Sequence, residues 1–340
     1  MDQKVEYEKL DDVVITRHGS GRPVMRFSVQ LQLFLSQGAD LATRHAVIDV
    51  LEGFRQLAPD RVTHLQPHLE NRLLPIASVG FPAFGHAEAA RLDPLTEDFG
   101  PHLTSVPAAP PQWQGYAALA SAEAGPGAIS ALDLSVPPSF VRADPDRYLA
   151  YVLDWCARVK PMHGLAGFAP VYEIGMEANY MQETWPFLAR FPGLQYPIPY
   201  PMAAEGQGQR RISGTGWLTI LGDQPLAAIG GRDRLARRLT DAWADVMDDA
   251  PAAVQPPDLP GGLSLHDYAG GVVIRAGTHP QMGDINMGNI PEAYCAVSDA
   301  LRPIRFEDYQ QNPMDLIRVP RPLDAYEETM NWLRRFDVVD

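Results

Sequence analysis

The amino-acid sequence predicts an α+β fold, an antiparallel or mixed sheet layered with helices, and three observations lead there. Across residues 24–35, apolar Met25, Phe27, Val29, Leu31, Leu33 and Leu35 alternate with Arg26, Ser28, Gln30, Gln32 and Phe34. That period of two buries one face of a strand. Directly afterwards Asp40 stands where an N-cap belongs, and Val47, Val50, Leu51, Phe54 and Leu57 recur at helical spacing until Pro59. Farther along, strands and helices mix without steady alternation and hairpin turns are present, the pattern of a layered antiparallel or mixed sheet.

The remaining elements follow in order. Gly19, Gly21 and Pro23 form a turn cluster, so residues 13–16 pair with the first strand as the other arm of a hairpin. His64, His68 and Glu70 surround Pro67; histidines four apart suit a metal when a helix presents them together, but proline breaks that helix, and the segment reads as a solvated loop. From 81 to 114 proline and glycine recur, with Pro107, Pro110 and Pro111 close together, and the stretch reads as a long connection with little regular structure. Residues 116–123 and 129–136 read as two strands joined through Gly125, Pro126 and Gly127. Asp144 and Pro145 open a helix as N-cap and first-turn proline, with Leu149, Val152, Leu153 and Cys156 inward. A short apolar segment through Phe168 leads to a helix over 176–190, whose Tyr180, Trp185 and Phe187 read as core.

Residues 192–201 hold too many prolines for a helix or a central strand and read as an extended surface crossing. Trp217, Thr219 and Leu221 alternate with Leu218 and Ile220 in a strand buried mostly on both faces. Short helices over 225–229 and 233–243 come next, divided by Gly230 and Gly231. Residues 272–275 form another buried strand, and 277–288 a loop rich in glycine and small polar residues. Pro291 sits in the first turn of a helix that buries Ile290, Tyr294, Val297 and Leu301. Leu323, Tyr326, Met330 and Leu333 mark a C-terminal helix that must dock, because a lone helix of that length is marginal in water. These elements divide into an α+β domain over 13–305, whose two strand-rich regions are open to being related halves, and a C-terminal extension over 306–340.

With 46% hydrophobic and 21% charged residues the chain has ample core material and is expected to fold. Its 42 Asp and Glu against 28 Lys and Arg give a net charge of -14. Such a field repels phosphate backbones, which disfavours direct nucleic-acid binding, and attracts basic partners; simple solubility explains it equally well. Cys156 and Cys295 both fall in predicted helices, where a thiol acts as a small hydrophobe, and no disulfide is expected. The first ten residues alternate charged and apolar types, so neither a secretory signal nor a membrane span is expected, and the cytoplasm is the expected location.

Chemical motifs are sparse. There is no Gly-x-Ser-x-Gly elbow and no phosphate-binding glycine loop ending in Lys-Ser or Lys-Thr, and the cysteines and histidines lack zinc spacing. No catalytic residue, cofactor or metal is assigned. The nearest approach to a site is His279, Asp284, Asn286 and Asn289 in the glycine-rich loop. A small-molecule hydrolase using His279 and Asp284 is the rival reading; against it stands a structural loop in which Asp284 and Asn286 cap backbone groups.

Taken together, three runs carry a resemblance: Gly216-Trp217-Leu218-Thr219-Ile220-Leu221-Gly222, then Ile229-Gly230-Gly231, then Gly277-Thr278-His279-Pro280-Gln281-Met282-Gly283-Asp284-Ile285-Asn286. With Tyr294 and Leu301-Arg302-Pro303 after them, they resemble the type VI secretion immunity family, TsiV-like, over most of the chain from about Val13 to Arg305. The resemblance implies a non-enzymatic protein encoded beside an antibacterial effector, often a nuclease, that binds and neutralises it stoichiometrically. It also implies that the motif residues maintain the fold: Trp217 in the core, Gly230 and Gly231 at an unusual turn, Asp284 holding its loop. Candidate effector contacts are the acidic run Asp241, Asp245, Asp248 and Asp249, and the turn carrying Glu97 and Asp98. Closely spaced carboxylates near a helix C-terminus are unfavourable within the helix and more useful against a cation; a plain solvated face is the alternative. A structural or adaptor role in the secretion apparatus and a homodimer are left open.

Overall fold

In the computed structural model, residues 7–68, 70, 72–106, 108–174, 176–196, 207–247, 259–309 and 317–337 are described. In chain order the strands are β1 (Val14–Thr16), β2 (Pro23–Leu35), β3 (His64–Gln66), β4 (Leu74–Pro75), β5 (His102–Thr104), β6 (Gln114–Ala118), β7 (Ser130–Val136), β8 (His163–Tyr172), β9 (Leu218–Gly222), β10 (Leu263–Tyr268) and β11 (Gly271–Ala276). They form one sheet in the order β10-β11-β9-β8-β2-β7-β6-β5-β3-β4, with β1 also on β2. Every pairing between named strands is antiparallel.

The period of two seen in β2 propagates across the sheet. Leu31 lies opposite Leu134, then Gly115, Leu103 and Leu65 on successive strands. This apolar row faces α2 (Leu41–Leu57), where a Cβ on Gly115 would lie 2.9 Å from Leu51 Cδ2 and 3.3 Å from Phe54 Cδ1. One residue along each strand, the rows turn polar: Gln30, Ser135, Gln114, Thr104 and His64 in one, Gln32, Asp133, Tyr116, His102 and Gln66 in the other. Side chains alternate across a pleated sheet, so both polar rows share the face opposite α2.

The sheet's core face is built by helices whose starts follow their sequence signals. Asp40 caps α2 by accepting from the amides of Ala42 and Thr43. After the short α3 (Ile76–Val79), α4 (Ala83–Arg91) and α5 (Pro138–Ala143), Asp144 caps α6 (Pro145–Val159) by accepting from the Arg147 amide. Helix α7 (Glu177–Leu188) places Phe187 edge-on to Phe27, with ring centroids 5.5 Å apart. Next come α8 (Asp223–Ala228) and α9 (Arg232–Met247), separated by Gly230 and Gly231 at φ 94° and 83°. At such positive angles a side chain is strained, and glycine makes the turn without steric strain. Helix α9 packs on α10 (Glu292–Leu301), which in turn lies on β11. The C-terminal α11 (Ala325–Leu333) buries Met330, Trp332 and Leu333 in the same core cluster as the sheet. Tyr148 of α6 stacks on the buried Trp217, with centroids 5.9 Å apart and 19° between planes.

Several expectations are corrected. His64 lies in a strand, not a solvated loop: its neighbours pair with both β4 and β5, and Leu65 is buried between them. The stretch 81–114 contains α4 and β5, because the alanine-rich run after Pro82 favours a helix and the short apolar His102–Thr104 finds partners on both sides. The segment through Phe168 is a ten-residue strand buried at every position, between β2 and β9. Strand β10, hydrogen-bonded along one edge to β11, had no separate signal. Ile290 and Leu323 are exposed rather than buried, since both precede the first turn of their helices. Residues 197–201 of the proline-rich crossing, and the side chain of Tyr180, lie outside the described residues.

Candidate functional site

Asp241 and Asp245 stand one turn apart on the exposed side of α9, opposite the buried Leu235, Leu239 and Ala242. Residues i and i+4 of a helix are surface neighbours, so the pair presents two like charges together. Asp248 and Asp249 lie outside the described residues.

Glu97 and Asp98 have internal partners. Glu97 Oε2 accepts from the Asp93 amide at 2.7 Å, and Asp98 Oδ1 accepts from the Ser121 amide at 2.7 Å. Beneath them the fully buried Arg44 donates to the carbonyls of Gly38 at 3.0 Å and Glu97 at 2.6 Å. Burial lowers the Arg44 pKa, and the nearby charges of Asp98, Glu97 and Asp93 oppose that shift. This turn therefore shelters a buried cation and still shows Asp98 to solvent.

Within the glycine-rich loop His279 and Asp284 are held by different partners. Asp284 is held by Arg190, whose Nε and Nη2 reach its carboxylate at 3.1 and 2.7 Å. It also accepts from the Asn286 amide at 3.0 Å, and the Arg190 hydrogen bond keeps its pKa low. His279 instead meets Arg142 Nη1 and Thr278 Oγ1, each at 3.0 Å. Burial, then the charges of Arg142 and Arg275, lowers its pKa. A carboxylate neutralised by arginine is a poor partner for a histidine base, so these residues act as the loop's fastening. That was the structural reading of Asp284.

A well-formed concavity lies elsewhere, on the polar rows of the sheet. It has a volume of about 490 Å³ and among the described residues is lined by Gln30, Gln32, Gln114, His102, Asp133 and Gln195, with Tyr116, Tyr172 and Tyr196 around them. Four buried polar atoms in its wall have no hydrogen-bond partner among the described residues: Gln32 Oε1, Asp133 Oδ1, Gln195 Nε2 and Tyr196 OH. Asp133 is half-buried as a residue, yet its Oδ1 is sealed from solvent. Burial pushes its carboxyl up to about 7, opposed by a hydrogen bond with Gln32. Burial likewise drives His102 down to about 3, so its ring is neutral beside Gln114 Nε2 at 2.5 Å. The Gln195 amide is pinned to the Phe168 carbonyl at 2.7 Å. Its side chain fills space that glycine leaves open, because a Cβ at Gly167 or Gly216 would come within 2.6 or 2.1 Å of Gln195 Nε2.

No residue of this cleft except through its strand pattern was singled out from the sequence. Gln30 and Gln32 were visible as the polar phase of β2, the signal of an outer face. That Asp133, His102 and Gln114 join them depends on the register of strands far apart in the chain.

Among the described residues, no group of three or more His, Cys, Asp or Glu is placed to hold a metal, and no helix is long and apolar enough to cross a membrane. Comparison with known proteins bears on the whole chain. A family model described as type VI immunity for VRR-NUC matches residues 111–254 and 258–336. No curated protein sequence matches. Among solved structures, one described as Pseudomonas aeruginosa T6SS protein PA0821 is similar over 98% of this chain and 90% of its own, with a TM-score of 0.77 and 22% identity. At that identity the likeness establishes a shared fold. The family match spans most of the chain, including the Trp217 strand, the Gly230-Gly231 turn and the Asp284 loop, and the protein belongs to the TsiV family of type VI immunity proteins.

Proposed function

We propose that this chain neutralises a nuclease effector of the VRR-NUC class by stoichiometric binding, covering the effector's active region without chemical turnover. The observation that carries this reading is the family match over residues 111–254 and 258–336. The net charge of -14 suits a partner whose substrate groove must attract nucleic acid and is therefore basic. The separate partners of His279 and Asp284 count against the hydrolase alternative. We place the complex in the cytoplasm, where an immunity protein made beside its effector would meet the toxin.

Asp241 and Asp245 are the proposed acidic contacts on α9, continued by Asp248 and Asp249, with Glu97 and Asp98 as a second patch. Exposed charges act mainly on encounter. Reversing both as Asp241→Lys with Asp245→Lys is expected to slow association about tenfold at low salt, with a much smaller effect on dissociation. Co-expression of the neighbouring effector gene with and without this chain, followed by co-purification and kinetics on the variant, provides the measurement. Toxicity that persists beside the wild-type chain, with no complex recovered, refutes neutralisation; an unchanged association rate removes α9 from the contact surface.

A further inference from the structure

We infer that the cleft on the polar face of the sheet is a socket for an arginine-bearing segment of the protein partner, whose guanidinium pairs with Asp133 and is ringed by glutamine amides. The inference rests on the reading of the chain as an effector-binding protein and adds the chemistry of one contact to it.

Three observations support it. First, the wall carries unused hydrogen-bonding capacity. Buried polar groups are nearly always paired, and each one left unmatched costs free energy, so a cluster in one cavity marks a place completed by something else. Gln32 Oε1, Asp133 Oδ1, Gln195 Nε2 and Tyr196 OH are such a cluster. Gln32, Gln195 and Tyr196 are each more than nine-tenths buried.

Second, the charge is one-sided. Asp133 is the carboxylate of the cleft, no lysine or arginine stands among the described lining residues, and His102 is neutral. Burial makes ionised Asp133 costly in the free protein, and an arriving cation removes that cost. A phosphate or carboxylate ligand would face Asp133 with no cation among the described lining residues to offset it, the charge of Arg318 reaching Tyr196 at the wall.

Third, the shape and the acceptors favour guanidinium among cations. Its planar fork presents five N–H donors, more than one carboxylate can accept, and the surplus needs neutral acceptors in several directions. Gln30 and Gln32 on β2 and Gln114 on β6 provide amide oxygens from the two strands that flank β7, which carries Asp133. Tyr116, 37% exposed, stands beside them with its ring centroid 5.0 Å from that of His102. Lysine's compact ammonium would leave most of this ring unused. A volume of about 490 Å³ exceeds one side chain, which leaves room for the backbone on which the arginine is carried; Gln195 Nε2 is then a donor for one of its carbonyls.

The test uses the full-length protein and two probes, Nα-acetyl-arginine methylamide and its citrulline analogue, titrated by calorimetry and by the side-chain amide signals of glutamine in NMR spectra. The arginine probe is expected to bind saturably, and the citrulline probe, the same shape without the charge, about tenfold more weakly or worse. Asp133→Asn, nearly isosteric, is expected to abolish the preference for arginine. Gln32→Leu, a second variant that leaves the carboxylate in place, is expected to weaken the arginine probe, and Asp241→Lys with Asp245→Lys to leave it unchanged. Equal binding of the two probes, no saturable binding, or a preference that survives Asp133→Asn in folded protein overturns the socket. The partner itself separates the two proposals: an effector that binds wild type and Asp133→Asn with equal affinity refutes the socket and leaves neutralisation standing. An effector that fails to bind wild type refutes neutralisation, while the probe titration still decides the socket.

Discussion

Trp217→Ala is expected to lower the free energy of unfolding by about 3–5 kcal/mol, the range for emptying a large, fully buried aromatic site. The indole is completely buried, stacks on Tyr148 and lies under Arg275, whose guanidinium carbon is 5.8 Å from the ring centroid. Its Nε1 donates to the Gly277 carbonyl at 3.0 Å, and Arg275 Nε donates to the same oxygen at 3.2 Å. Arg275 Nη2 continues to the Thr278 carbonyl at 2.7 Å. Gly277 takes φ 84°, so β11 passes into the glycine-rich loop at a backbone bend only glycine makes easily, and the indole hydrogen bond fastens the start of β9 to that bend. Removing the ring thus loses packing and a buried hydrogen bond at once. Urea denaturation followed by circular dichroism measures the loss, and Trp217→Phe, which keeps much of the volume, should lose less. A loss below about 1 kcal/mol for the alanine variant would contradict this role, since even a deleted methylene in a tight core costs about that much.

Arg305→Ala is expected to cost up to about 3–5 kcal/mol, because it removes a buried cation and leaves the partly buried Asp337 without it, while Glu307 keeps Arg334. The Arg305 side chain is 2% exposed and reaches Asp337 at 2.6 and 2.7 Å, Glu307 at 2.5 Å and Ser298 Oγ at 3.0 Å. It ties α10 to the segment that follows α11. Burial alone would raise the Asp337 and Glu307 carboxyls; hydrogen bonds and charge from Arg305, joined by Arg334 at Glu307, outweigh it and hold both low. Carboxylates with depressed pKa values contribute stability that is complete above the ordinary carboxylate range and lost as pH falls through their folded values. The gap between wild type and Arg305→Ala should therefore be full at neutral pH and narrow below pH about 4. Melting temperatures across that range test it, and a gap independent of pH would refute the ionic account.

The legibility of this chain in its sequence follows the range of the signals. Asp40 and Asp144 named helix starts because an N-cap is a contact between residues two or three apart. The alternation in residues 24–35 named β2 because its pleat is local. His64 in β3 and the whole of β10 were missed for the opposite reason: short strands owe their existence to neighbours distant in the chain, and three to six residues carry too little pattern to declare it. The same limit applies to the candidate sites. Asp241 and Asp245 could be placed on one helix face from spacing alone, whereas the cleft needs the register that brings Asp133 beside Gln32 and Tyr116. The Asp284 loop was visible as glycine and small polar residues, but its partner Arg190 lies 94 positions away.

The placement of β8 beside β2 has a kinetic consequence. Register partners such as Phe34 and His163, or Met25 and Tyr172, lie more than a hundred positions apart, and this pairing forms the middle of the sheet. Closing so large a loop comes before the reward of the contacts, which slows folding in proteins dominated by remote pairings. During synthesis the long edge of β2 stays uncovered until β8 leaves the ribosome, with Val29, Leu31 and Leu33 available to a neighbouring nascent chain. A cell that relies on such a protein has a delay between translation and protection, and gains by making it ahead of the toxin.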